Sequence, residues 1–119
     1  MEYSLGRLQE IAQGDEAFVR DMLISFVENV SADVEKIQLL IPLENWKAIA
    51  GIAHKLVARF AYLSANSLLS LSDDIEESVL VKGDLSEIAD KSHKLCNETI
   101  SLINILKKDF EFLCNLKIN

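Results

Sequence analysis

The feature that most constrains the fold is a long stripe of apolar residues spaced alternately three and four positions apart. The stripe runs from Phe18 to Ile41 and ends at Pro42, the one proline of the chain. This spacing is that of one face of an α-helix, and proline ends a helix because it lacks the backbone N–H and clashes with the preceding turn. The pattern therefore predicts a long helix that begins after Asp15, the candidate N-cap.

The rest of the chain also contains little that would interrupt helices. Its 119 residues include only four glycines, and β-branched residues rarely cluster, so a β-rich fold would lack turns. Further helical patterns predict a short helix over about 4–12, a helix from about 46 to 62–64, a helix beginning at Ser64 or Asn66, and a helix from Leu85 to Leu113. The expected fold is all-α: an antiparallel four-helix bundle with an additional short N-terminal helix, as a single domain over residues 1–119.

The charge and the acidic residues limit the kinds of ligand. The formal net charge of −7 argues against nucleic acid as a partner, because phosphate binding needs a basic face. The acidic run of Asp73, Asp74, Glu76 and Glu77 is interpreted as the solvated face of the fourth helix. These carboxylates lack the spacing of a calcium-binding loop, so we expect no metal site.

The cysteines and the hydropathy predict the compartment. Cys96 and Cys114 lie 18 residues apart in one predicted helix, which holds them too far apart to bond to each other. Neither belongs to a C-x-x-C metal-binding motif, and the sequence shows no signal peptide and no apolar run long enough to cross a bilayer. We therefore expect a cytoplasmic protein that does not contact a membrane.

The histidine of the third helix, His54, is placed unusually. At about 100° per residue, the apolar residues of this helix share one side and His54 projects from nearly the opposite side, so it is not a core histidine. A surface helix ordinarily carries long polar side chains around such a position. Here the surround consists of Ala50, Gly51, Val57, Ala58 and Ala61. This smooth surface suits close approach by another macromolecule; an ordinary solvated histidine is the alternative.

The second histidine, His93, carries a weaker signal. It lies about 100° from the centre of the apolar stripe of the last helix, where a polar residue commonly borders a helix contact. Both histidines are followed by lysine and leucine, but the similarity does not extend beyond four residues. We interpret this echo as coincidence and His93 as a polar residue at the helix edge.

Three groups of residues carry a resemblance to a known family. They are Tyr3-Ser4-Leu5 through Gly14-Asp15 to Phe26; Asn45-Trp46-Lys47 through Ala53-His54-Lys55-Leu56; and Phe60 to Leu63 followed by Leu68, Ser72, Ile75 and Glu76. From Tyr3 to about Phe112 the chain resembles a histidine-containing phosphotransfer (HPt) domain of two-component phosphorelays. The resemblance places His54 on the phosphorylated histidine of the family, the residue that the helical pattern also singles out.

The resemblance implies that the chain is a phosphoryl carrier. His54 would take a phosphoryl group from the aspartate of a response-regulator receiver domain, in a pathway with a hybrid sensor kinase, and pass it to another receiver. Mg²⁺ would belong to the receiver only, so no cofactor is expected on this chain. No nucleotide-binding glycine loop is present, which argues against an ATP-dependent kinase. The family also favours a monomer.

The positions after His54 depart from the family pattern. The family commonly has lysine where this chain has Val57, glycine where it has Ala58, and serine or alanine where it has Arg59. The missing lysine would donate a hydrogen bond to the phosphoryl oxygens, an interaction of about 1–3 kcal/mol. The candidates for replacing it as phosphate-stabilising residues are Lys55 and Lys47.

Two other functions remain open. Val57 and Arg59 suggest a degenerate member of the same fold that binds a receiver or kinase domain without phosphotransfer. A helical scaffold unrelated to phosphate is the third candidate. The smooth surround of His54 argues against the scaffold, whereas only the chemistry of His54 separates the first two functions.

Overall fold

The computed structural model describes residues 2–116, which form helices joined by turns and contain no strand. Five α-helices are present in this range: α1 (Gly6–Ala12), α2 (Glu16–Leu40), α3 (Trp46–Tyr62), α4 (Asn66–Glu77) and α5 (Ile88–Asp109). A π-helical turn (Ser78–Lys82) extends α4, and a 3₁₀ turn (Glu111–Leu113) follows α5. The predicted all-α class is confirmed. No helix in residues 2–116 is both long enough and apolar enough to cross a membrane.

Side-chain caps fix the first residues of α2 and α3. The Asp15 carboxylate accepts a hydrogen bond from the backbone N–H of Phe18 at 3.1 Å, which begins α2 where the sequence predicts. The Asn45 side chain accepts one from the N–H of Ala48 at 3.3 Å and begins α3 in the same way. Between them, Glu44 takes a positive φ of 52°, so the chain reverses within a few residues after α2.

The core lies between the long helices. α2 contacts α3 and α5, α3 contacts α4, and α4 contacts α5, with the most extensive contact between α3 and α4. Phe60 of α3 is fully buried and meets Phe26 of α2 edge to face, with ring centroids 6.2 Å apart. The side of α3 opposite this core is therefore left for solvent.

The last helix is shorter than the sequence pattern predicts. α5 begins at Ile88, because the Asp84 carboxylate accepts hydrogen bonds from the backbone N–H and the hydroxyl of Ser86 and holds a turn there. Leu85 is 47% exposed and does not belong to the buried stripe. α5 ends at Asp109 because Phe110 is extended, with φ −126° and ψ 103°.

The prediction that the two cysteines lie in one helix is consequently wrong. Cys96 is buried in α5, whereas Cys114 is exposed beyond the 3₁₀ turn, and both are free thiols. Burial raises the pKa of the Cys96 thiol to about 11, so this thiol stays protonated at neutral pH. Both side chains lie outside the site that contains His54.

Candidate functional site

His54 lies midway along α3 on the side that faces solvent. Its side chain is 74% exposed, whereas Ile52, Ala53 and Leu56, the core-facing residues around it, are buried. The prediction that His54 is not a core histidine is confirmed. An exposed imidazole at the centre of a helix is held by a rigid backbone and can still be reached by another molecule.

A carboxylate of the neighbouring helix lies against the His54 ring. The Nδ1 atom of His54 is 2.7 Å from Oε2 of Glu76 on α4. Oε2 is shielded from solvent, while the whole Glu76 side chain is 24% exposed. The Nδ1–H direction is not aligned closely enough with Oε2 for a well-formed hydrogen bond, so the contact is a close approach of a charge to the ring.

This arrangement makes the two ring nitrogens different. A carboxylate beside Nδ1 stabilises the tautomer that carries the proton on Nδ1, so the lone pair resides on Nε2. The tautomer is inferred from this partner, as it is for histidines that a carboxylate orients in metal and catalytic sites. In this tautomer Nε2 is the ring nitrogen with a free lone pair.

The surface around His54 is partly as the sequence predicts. Gly51 and Ala58 are exposed and Val57 and Ala61 are partly buried; a Cβ atom added at Gly51 would meet nothing within 4 Å. These four residues leave the approach to the ring open. They form the surface that we call the α3 face, which consists of Gly51, Val57, Ala58 and Ala61.

Ala50 does not belong to this surface, and its predicted place in a docking surface is wrong. Its side chain is fully buried. A residue four positions before His54 is rotated by about 40° from it, and on α3 this rotation is toward the core. α3 makes its most extensive contact with α4, and a methyl side chain lets two helices approach closely. Ala50 therefore serves packing.

The two candidate lysines are exposed and have no carboxylate within 4.0 Å among the ion pairs of residues 2–116. Helical side chains lean toward the N-terminus of their helix. Lys47, two turns before His54, therefore leans away from the ring, whereas Lys55, the next residue, projects about 100° around the helix from it. A side chain at Val57, three residues after His54, leans back toward the ring.

Arg59 is directed to the other side of α3. Its Nε atom lies 3.9 Å from Oδ2 of Asp33 on α2, and the Asp33 side chain is only 5% exposed. This Oδ2 atom accepts no hydrogen bond, so the long contact with the guanidinium is its electrostatic compensation. Arg59 thus connects α3 to α2 and does not contribute to the His54 site.

The contact between Glu76 and His54 is not evident from the sequence, in which the acidic run of α4 predicts a uniform solvated face. The structure divides that face. Glu76 contacts His54, whereas Asp74 forms an ion pair with Lys91 of α5, with Oδ2 2.8 Å from Nζ. The available signal was distance from the turn between α3 and α4. His54 lies ten residues before Ser64 and Glu76 twelve after it, so this distance brings the acidic segment of α4 near His54 but does not select Glu76 over Asp74, which lies ten residues after Ser64.

Within residues 2–116, no three His, Cys, Asp or Glu side chains are grouped so that they could hold a metal ion. Comparisons of the chain with protein-family models, with curated proteins and with solved structures find no match. The geometry of His54 and Glu76 is therefore the feature of this protein that indicates a function.

Proposed function

We propose that this protein is a phosphorelay carrier that accepts a phosphoryl group on His54 from the aspartate of a receiver domain and passes it to another receiver. The observation that carries the proposal is the exposed His54 ring with the Glu76 carboxylate 2.7 Å from Nδ1. The contacts of α2 with α3 and α5, and of α4 with α3 and α5, support an antiparallel four-helix bundle of the HPt type. The carrier is cytoplasmic and monomeric, and Mg²⁺ is bound by the receiver.

The transfer step uses Nε2 as the nucleophile. The Nε2 lone pair forms a bond to phosphorus while the bond between phosphorus and the aspartate oxygen breaks, and its electron pair returns to the aspartate carboxylate. The proton on Nδ1 stays in place, so positive charge develops on the ring. Glu76 lies where it stabilises this charge, and the reverse step delivers the phosphoryl group to the next aspartate.

Val57 affects the lifetime of the phosphorylated state. A cation at this position would lean toward the phosphoryl oxygens, but valine offers none, and α4 has no lysine or arginine between Asn66 and Glu77. Lys55 and Lys47 are left as the candidate cations. A phosphoryl group stabilised by one flexible, solvated cation is transferred or hydrolysed more readily than one held by two.

The valine at position 57 also favours one second candidate, a module that binds a receiver or kinase domain without phosphotransfer. The absence of a lysine at Val57 and the acidic α4 both disfavour a phosphoryl group on Nε2. Docking alone needs only an open surface, which the α3 face provides. The two functions differ in whether His54 becomes phosphorylated.

Incubation with a phosphorylated receiver domain from the same organism separates these functions. The carrier takes up a label that is lost in acid and stable in alkali, as expected for phosphohistidine. A second reaction with phosphoramidate, a small donor, gives the same product without a docking partner. If neither donor labels the protein at neutral pH, the carrier function is wrong and the binding module replaces it.

A further inference from the structure

The contacts of α3 show which neighbouring helix covers each side of it. At about 100° per residue, Arg59 is rotated by about 140° from His54 in one direction, and it contacts Asp33 of α2. Ala50 is rotated by about 40° in the opposite direction and is fully buried, whereas Gly51, about 60° away on the α2 side, is exposed. The Ala50 side of His54 therefore lies against α4, the helix that α3 contacts most extensively.

The contact between His54 and Glu76 is one helical turn from Ala50. The two helices are joined by a short turn, so they run antiparallel. Since Glu76 lies beside His54, the residue four positions before His54 faces the end of α4 and the π-helical turn, which also contacts α3. The methyl group of Ala50 therefore lies between α3 and the segment that carries Glu76.

The size of this side chain affects how closely the two helices approach. Packed helix axes lie about 8–10 Å apart, and the side chains at the contact determine the distance within that range. Alanine permits a close approach, and the Glu76 carboxylate reaches Nδ1 of His54 at 2.7 Å. A larger side chain at Ala50 has no exposed space into which it can turn, so it moves α4 away from the ring.

We infer that Ala50 is a positioning residue, whose small side chain holds α4 at the distance at which Glu76 meets Nδ1 of His54. Ala50 acts on the ring only through Glu76. The consequence is the tautomer with the proton on Nδ1, which leaves the lone pair on Nε2 for transfer. This inference rests on the proposed carrier function and adds a residue that fixes the reactive form of its histidine.

The experiment compares Ala50→Val with Ala48→Val in a His93→Gln background, which leaves one imidazole in the chain. Ala48 is partly buried on the α2 side of the same helix, so this control introduces the same β-branched residue away from α4. The ¹⁵N chemical shifts of the His54 ring, measured at a pH at which imidazole is neutral, report which ring nitrogen carries the proton. Labelling by phosphoramidate is measured in parallel, and thermal unfolding shows whether each variant is folded.

We expect the proton on Nδ1 in the wild-type protein and in Ala48→Val, and a several-fold larger share of the tautomer protonated on Nε2 in Ala50→Val. Labelling of Ala50→Val should be slower by up to about tenfold, and adding Glu76→Gln should slow it no further, because both changes act on the same contact. A merely structural role of Ala50 would lower Tm without changing the tautomer.

A folded Ala50→Val variant that keeps the wild-type tautomer overturns the inference, as does an equal shift in Ala48→Val. If Ala50→Val does not fold, Ala50→Cys, with a smaller side chain than valine, decides in its place and should shift the tautomer in the same direction by a smaller amount. Failure of phosphoramidate to label the wild-type protein overturns the carrier function, whereas the tautomer measurement still decides whether Ala50 positions Glu76.

Discussion

The two histidines of this protein have nearly the same local sequence and different surroundings. His54 and His93 are both exposed, and each precedes a lysine and a leucine. His54 has the Glu76 carboxylate 2.7 Å from Nδ1, whereas the His93 side chain takes part in no hydrogen bond or ion pair within residues 2–116. The difference shows that the surroundings of a histidine depend on the residue that another helix brings to it, and not on its neighbours in sequence.

The largest expected effect separates the histidines directly. His54→Gln should reduce acid-labile labelling to background, a loss of about a thousandfold or more, because no nucleophilic ring nitrogen remains at the site. His93→Gln should keep wild-type labelling. Label is measured after reaction with a phosphorylated receiver; persistence in His54→Gln together with loss in His93→Gln would assign the chemistry to α5 instead.

The second-largest effect is expected when Glu76, the residue whose contact distinguishes His54 from His93, loses its charge. Glu76→Gln should slow transfer about tenfold, because the amide oxygen can still face Nδ1 but no longer carries the charge that stabilises the ring in the transition state. The control is Glu77→Gln, which removes the same charge from a side chain that is 48% exposed and lies 3.9 Å from Lys82. The measurement is the single-turnover transfer rate of each variant. Equal rates would mean that Glu76 acts only as one of several acidic residues and has no specific effect on His54.

The third prediction adds the cation that the His54 surround lacks. Val57→Lys should lengthen the lifetime of phosphohistidine a few-fold, because a lysine at this position leans back toward the phosphoryl oxygens at a site that solvent partly screens. Gln38→Lys adds the same charge to an exposed position of α2 and should change nothing. Decay of the labelled proteins without a receiver is the measurement, and an unchanged lifetime in Val57→Lys would show that Lys55 already suffices.

The smallest effect concerns the other edge of α4. Asp74 forms an ion pair with Lys91, with Oδ2 2.8 Å from Nζ. The hydrogen bond that Lys91 donates to Asp74 is the main reason why the pKa of Lys91 is raised above 10.5. Asp74→Asn should lower Tm by about 1–2 °C at pH 7 and leave transfer unchanged, because this surface contact only joins α4 to α5.

The sign of its pH dependence follows from the raised pKa. The protonated lysine is favoured in the folded state, so its contribution is complete below the unfolded pKa of about 10.5 and is lost as the pH rises through the folded value. The Tm difference between Asp74→Asn and the wild-type protein should therefore shrink above pH 10.5. A transfer defect in Asp74→Asn would mean that both edges of α4 serve the histidine.

The local elements could largely be predicted from the sequence, because they depend on short-range spacing and caps. The stripe from Phe18 to Ile41, the Asp15 cap and the exposure of His54 all follow from 3.6 residues per turn. The errors arose where a tertiary or turn contact competes with periodicity. Leu85 fits the apolar stripe but is excluded from it by the Asp84 turn, and Ala50 shares a face with His54 on the wheel but is covered by packing.

The sequence by itself determined an all-helical chain with a histidine on the outward side of its third helix, because helical periodicity separates core-facing from solvent-facing positions. It could not distinguish Glu76 from Asp73, Asp74 and Glu77, which have the same chemistry within five positions. Only the tertiary structure decided which carboxylate meets His54, because that contact depends on the rotation and register of α4 against α3, which the packing of the two helices sets.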